Sequence, residues 1–214
     1  MRNFDYSHLK DRTWDNEILS YVAKIHEFKG KQELYLRQKP VELERLVEIA
    51  KVQSTESSNR IEGIVTTRSR LQQLVEDKTT PRNRDEKEIL GYRNVLNLIR
   101  ENYQYIPLKS NYILQLHRDL LQYTDLSYGG KYKASPNEID AVLPNGEKRI
   151  LFKPLEPYET PDAIKQICSS YQQALDHEIV DSLILIPCVI LDFLCVHPFN
   201  DGNVPLRYQQ QIAA

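Results

Sequence analysis

Glycine is scarce in this chain, with seven in 214 residues, and so little of it argues against a turn-rich all-β fold. The three cysteines, Cys168, Cys188 and Cys195, are an odd number without any C-x-x-C spacing. That pattern argues against a disulfide framework or a zinc site and fits reduced thiols. Neither sign of charge dominates: 28 basic against 30 acidic side chains leave a net charge of -2. No global field therefore points to a nucleic-acid or membrane-surface partner. The longest apolar stretch, residues 183–196, contains Pro187 and Asp192 and falls short of the roughly 18 residues that a membrane span needs. The first residues, Met1 to Tyr6, are polar with no apolar segment behind them. A cytoplasmic protein without a secretory leader is the expectation. Internal repeats and low-complexity tracts are also missing.

What is present is helical patterning. Apolar residues at helical spacing predict helices over residues 16–36, from Pro40 to a stop at Gly63, 85–102, 109–122 and 160–177, and a buried core helix at 183–196. Thr66 or Thr67 can cap a short helix carrying Leu71, Leu74 and Val75. The polar stretch 76–84, with Pro81 inside it, predicts a connection. The expected fold is mainly α, in two parts: an N-terminal helical region, 1–80, and a core, 81–214.

One β element interrupts the helices. Ile139-Asp140-Ala141-Val142-Leu143 and Arg149-Ile150-Leu151-Phe152 flank Pro144-Asn145-Gly146, and Asn-Gly between apolar runs is a hairpin signal. A lone hairpin is marginal by itself. Either it binds an extended peptide along its edge, as Ile139, Ala141, Val142 and Leu143 would allow, or it is a surface hairpin pinned by Phe152.

The chemistry gathers just after the buried helix, in His197-Pro198-Phe199-Asn200-Asp201-Gly202-Asn203. Pro198 cannot continue a helix, so it forces a loop and leaves the His197 imidazole, a candidate general base, at the core edge. Phe199 would anchor the loop, its burial contributing about 2 kcal/mol. Asp201 offers a carboxylate suited to Mg²⁺. Gly202 and Asn203 tolerate the unusual backbone angles that let N–H groups converge on an anion. Taken singly, each residue has an ordinary reading: a packing histidine, an Asp-Gly turn, a core phenylalanine. The ordered string is what carries weight.

That string resembles the Fic family, whose motif runs His-Pro-Phe-x-Asp/Glu-Gly-Asn-Gly-Arg-x-x-Arg between two helices. Residues 88–94, 116–121 and 130–133 resemble other parts of the same core, with Lys133 standing where many members have arginine. The hairpin at 139–152 occupies the position of the family's flap. Ser58-Asn59-Arg60-Ile61-Glu62-Gly63 is similar to the inhibitory Ser/Thr-x-x-x-Glu-Gly/Asn motif that many members carry upstream.

The resemblance implies a Fic-type helical core with a β-hairpin flap and an N-terminal helical extension. It implies transfer of AMP from ATP to a Tyr, Thr or Ser hydroxyl of a target protein. His197 would take the hydroxyl proton, with a pKa near its ordinary value of about 6.5. Phe199, Asn200, Asp201, Gly202 and Asn203 would form the nucleotide loop, and Asp201 would hold Mg²⁺. Ser58, Glu62 and Gly63 would make the inhibitory element, Glu62 competing with the ATP γ-phosphate for the loop's first arginine. A homodimer is compatible with the family; membrane and nucleic-acid partners are not expected through this chain.

The motif breaks after Asn203, where Val204-Pro205-Leu206-Arg207-Tyr208 replaces Gly-Arg-x-x-Arg. Pro205 brings neither charge nor N–H. A frameshift, a truncation or an expression scar at residue 204 is the expectation, with a C-terminal part of the core missing. The chain as written is expected to transfer little AMP, and Glu62 to lack its usual partner. The alternative is a non-catalytic Fic-fold module that binds nucleotide or protein. A Doc-like phosphate transferase is disfavoured by Gly202, and a metal hydrolase by the absence of further ligands near His197 and Asp201.

Overall fold

Helix placement follows the apolar spacing closely. The computed structural model describes residues 3–38, 40–61, 63, 64, 66–142 and 146–203. Along them run α1 (Asn16–Gln38), α2 (Pro40–Ile61), α3 (Arg68–Val75), α4 (Arg84–Asn102), α5 (Ser110–Leu120), β1 (Ile139–Val142), β2 (Lys148–Phe152), α6 (Thr160–Asp176) and α7 (Ser182–Val196). The fold is mainly α with one hairpin, as the patterning predicts. No helix among the described residues is long and apolar enough to cross a membrane.

The main core forms around α7. Its buried residues Leu185, Val189, Phe193 and Val196 meet Ile164 and Ile167 of α6 and Tyr92, Val95 and Leu96 of α4. The expected buried core helix is not buried all round: Pro187 and Leu191, on its other side, are exposed. Asp181 starts it, its carboxylate accepting the Leu183 N–H at 2.9 Å, which satisfies one of the orphan donors of the first turn. Phe4, Tyr6 and Leu9 belong to the same core cluster, and the Tyr6 hydroxyl donates to Asp192 at 3.1 Å. The start of the chain is thus packed beside α7, far from it in sequence.

α4 and α5 approach closely because Gly91 has no side chain: a Cβ there would overlap the backbone of Leu120. A glycine inside a helix is intrinsically unfavourable, so its place here is explained by this contact.

A smaller cluster, with Leu71, Leu74, Val75, Ile89 and Leu90 at its centre, joins α3 to α4 and touches Val52 of α2. Thr67 caps α3, its hydroxyl accepting the Arg70 N–H. The Arg70 guanidinium grips Glu86 with two parallel bonds, at 2.9 and 2.8 Å. Its remaining donors reach Thr79 and the Thr80 carbonyl. Asn83 caps α4 by accepting the Glu86 N–H at 2.9 Å. The connection from α3 to α4 is thereby tied down on both sides, and the first turn of α4 has a fixed place. The Arg70 bond holds the Glu86 carboxyl at a pKa of about 2.

α2 docks on α4 through hydroxyls: Ser54 and Ser58 each lie 3.0 Å from the Tyr92 hydroxyl. Gly63 follows α2 with φ 79°, its N–H donating to the Arg60 carbonyl at 3.1 Å. The predicted stop is therefore a left-handed C-terminal residue, which glycine adopts without strain. In the hairpin, β1 and β2 pair antiparallel with an irregularity between Ile139 and Asp140. Leu143, Pro144 and Asn145 lie outside the described residues.

Candidate functional site

His197 terminates α7 in the left-handed region, at φ 48° and ψ 64°, with its N–H donating to the Phe193 carbonyl at 2.9 Å. Left-handed backbone is strained for a residue with a Cβ and persists where the surroundings impose it. The neighbours of His197 supply that constraint. Pro198 stops the helix, and its carbonyl accepts the Lys133 N–H at 2.9 Å. Lys133 is buried and sends its ammonium to the Val196 carbonyl at 3.0 Å and to Asn137 Oδ1 at 2.8 Å. Asn137 Nδ2 in turn donates to the carbonyls of His197 and Phe199, at 3.3 and 3.2 Å. One lysine and one asparagine thus hold the bend between helix and loop.

The imidazole of His197 is half-buried, and its pKa lies below the ordinary value. Burial is the chief cause, the Lys133 cation adds to it, and a contact to the Leu194 backbone opposes both. The expectation of an unshifted imidazole is corrected here: low dielectric and a neighbouring cation each disfavour the imidazolium. The group is therefore neutral, as a general base must be, over a wider pH range.

Phe199 is fully buried. Its ring stacks on His117 at 3.8 Å between centroids and lies 6.0 Å from Tyr132 and 6.3 Å from Phe193. Its side chain is an anchor, as expected from its size, and has no free face for a nucleotide. Asn203 is likewise buried. Its side chain bridges the loop, Oδ1 accepting the Phe199 N–H at 2.9 Å and Nδ2 donating to the Phe199 carbonyl at 2.8 Å. The Asn203 amide thus closes the loop on itself. Asn200 is exposed.

Gly202 has φ 73°, and a Cβ there would lie 3.0 Å from Leu120 and 3.4 Å from His117. The backbone angle favours glycine, and a Cβ there would also crowd the Leu120 side chain. Beneath it, His117 Nδ1 accepts the Gly130 N–H at 3.1 Å and Nε2 lies 3.1 Å from the Asp201 carbonyl. An acceptor at Nδ1 requires the proton at Nε2, so the ring is neutral and donates to the loop. Burial pushes its pKa down to about 4.

Asp201 is the loop's charged member. Its Oδ1 accepts the Gly202 N–H at 2.8 Å. Its Oδ2 takes Arg84 Nη2 at 2.7 Å and the Tyr128 hydroxyl at 3.4 Å. Arg84, at the start of α4, also donates to Glu88 at 2.6 Å. Desolvation raises the Glu88 pKa, with the Asp201 charge adding to it. Among the described residues no three His, Cys, Asp or Glu side chains cluster as a metal cage. A lone carboxylate fits Mg²⁺ that arrives on a nucleotide, because that ion keeps most of its shell as phosphate oxygens and water.

The spacing reading brings His197, Phe199, Asp201, Gly202 and Asn203 into one loop, and the fold does the same. It did not single out Arg84, Tyr128 or Asn137, which are distant in sequence; His117 and Lys133 lay within stretches resembling the family core, Lys133 at a position where many members have arginine. Ser58 lies against Tyr92 on α4, as described; Glu62 is outside the described residues, as are 204–214 with the broken end of the motif. Of the flap positions, Ile139 is exposed, as are Ile150, Leu151 and Phe152 of the opposite strand. Ala141 and Val142 are described by their strand pairing alone.

Residues 107–205 match the sequence model of the Fic/DOC family. No curated protein sequence matches. Among solved structures, a Fic-domain-containing signaling protein from Bacteroides thetaiotaomicron is similar at TM-score 0.70 and 26% identity, over 80% of this chain and 64% of that one. A Fic family protein from Desulfovibrio desulfuricans gives TM-score 0.71 and 16% identity, over 94% and 58%. A Fic-1 variant from C. elegans gives 0.65 and 15%, over 91% and 58%. The last two show the fold alone. The chain spans less than two thirds of the length of each of these structures.

Proposed function

Residues 107–205 of this chain belong to the Fic/DOC family, and on that basis we propose that the domain is built to transfer AMP from ATP to a hydroxyl side chain of a target protein, slowly in this chain because the loop departs from the family motif after Asn203. The observation that carries the reading is His197, a non-glycine residue held left-handed at the end of a buried helix and kept neutral by burial and Lys133. Strain maintained by surrounding bonds at a titratable residue is a mark of a working site.

His197 accepts the proton of the attacking hydroxyl, acting as general base while that oxygen bonds to the α-phosphorus of ATP and the bond to the departing pyrophosphate breaks. The Asp201–Gly202 turn faces the phosphates, its glycine giving backbone close approach to an anion. Asp201 holds Mg²⁺, which neutralises phosphate charge when bound. Phe199 and Asn203 keep the loop rigid, so that no reorganisation is needed as charge develops. The exposed apolar edge of the hairpin lays the target segment alongside as an added strand. Ser58 locates α2 on α4, but Glu62 lacks the family's restraining partner, because a proline stands at 205 in place of the loop's first arginine.

The test compares the chain with Val204→Gly/Pro205→Arg, each with and without His197→Ala, in transfer of α-labelled AMP from ATP to protein. Little transfer by the chain, a gain in the double variant and loss on His197→Ala are expected. A double variant that binds ATP but transfers no AMP would turn the assignment toward a nucleotide-binding module. Robust His197-dependent transfer by the unaltered chain would refute the impairment.

A further inference from the structure

Both oxygens of the Asp201 carboxylate are already engaged. Oδ1 takes the Gly202 N–H at 2.8 Å, and Oδ2 takes the Arg84 guanidinium at 2.7 Å, with the Tyr128 hydroxyl at 3.4 Å. A divalent cation that binds at Oδ2 competes with Arg84 there, because guanidinium and metal ion repel each other and seek the same lone pairs.

Arg84 is built to move this way. Its side chain is 58% exposed, so leaving Asp201 costs little packing. Its Nε stays on Glu88 at 2.6 Å, which gives the guanidinium a pivot. The backbone beneath it is tied down: Asn83 caps the helix, and the Arg70–Glu86 clamp holds its first turn. The released fork stands beside the metal's own ligand, at the positive end of α4. Planar paired donors of this kind match phosphate oxygens.

We propose that Arg84 and the divalent cation exchange places at Asp201, and that the displaced Arg84 becomes a phosphate-contacting residue for the nucleotide. The inference rests on the nucleotide-transfer reading of this loop and deepens it. It assigns to the start of α4 a guanidinium that residue 205, a proline, does not supply.

The experiment titrates the full chain, Arg84→Ala, Arg84→Lys and Asp201→Asn with Mn²⁺ alone and with Mn²⁺–ATP, by calorimetry, after circular dichroism has matched their helix content. Arg84→Ala is expected to bind Mn²⁺ alone about threefold tighter than the unaltered chain, the advantage of losing an exposed competing ion pair. It is expected to bind Mn²⁺–ATP about tenfold more weakly, the loss of a charge-assisted phosphate contact. Arg84→Lys, which keeps the charge without the fork, should fall between. Unchanged or weaker Mn²⁺ binding by Arg84→Ala, or undiminished Mn²⁺–ATP binding, overturns the exchange. If it does so while Asp201→Asn still abolishes metal binding, the nucleotide reading of the loop stands. Equal Mn²⁺–ATP binding by the unaltered chain and Asp201→Asn removes the metal reading and the exchange together.

Discussion

The ring of Phe199 lies nearly parallel to that of His117, 3.8 Å away and inclined by 14°, so the loop's apolar anchor rests on a neutral imidazole. Charging that imidazole disrupts the Gly130 bond at Nδ1 and places a cation in the core. The His117 pKa falls in the folded state from 6.5 to about 4. The unfolded chain therefore binds more protons between these values, and stability is complete above the unfolded pKa. The His117 contribution declines as pH drops through the window, by about 3 kcal/mol in all, and changes no further below it. Denaturant titrations of the chain and His117→Gln across that window measure this; the variant should show a flatter profile on a lower plateau. Phe199→Ala should cost about 3–5 kcal/mol at neutral pH.

Glu86 gives a second acid-sensitive contribution in a different range. Arg70 depresses its folded pKa from 4.5 to about 2. The contribution is present above the unfolded value and is lost as pH falls through that lower interval. Glu86→Gln should lower Tm at neutral pH and reduce the pH dependence of Tm between those two values. Thermal melts across the interval check both.

At the contact of α4 with α5, Gly91→Ala inserts a Cβ into the Leu120 backbone. Backbone cannot yield as a side-chain end does, so the helices must separate, at about 3 kcal/mol or more. Gly30→Ala, on α1 with open space around its Cβ, should instead stabilise by about 0.5 kcal/mol through helix propensity. Paired urea denaturation curves distinguish the two.

Lys133 contributes to the low pKa of His197 through its charge. Lys133→Met should raise the imidazole pKa, so the neutral base is lost at higher pH. The acid limb of any His197-dependent transfer then moves toward neutrality. Lys133→Arg keeps the cation and should leave the limb nearly in place. Imidazole titration by NMR reads the shift directly, independent of turnover.

Much of the architecture was legible in the sequence because helix periodicity and caps are local properties. Thr67 caps α3 with a side chain three residues from the bond it satisfies, and Gly63 stops α2 by its own backbone freedom. The order His197 to Asn203 also declared a loop with an anchor, a base and a carboxylate, since Pro198 cannot continue a helix and Gly202 permits a left-handed turn wherever they stand.

Other features were settled by contacts between distant segments. That Phe4 and Tyr6 complete the core beside α7, that Lys133 and Asn137 set the bend at His197, and that Arg84 meets Asp201 depend on separations of up to 186 residues. Sequence determined which groups could be base, anchor or ligand, because those capacities belong to single side chains. Tertiary structure decided which of them are neutral, which are buried and which are already paired, because burial and neighbouring charge exist only after distant helices have packed.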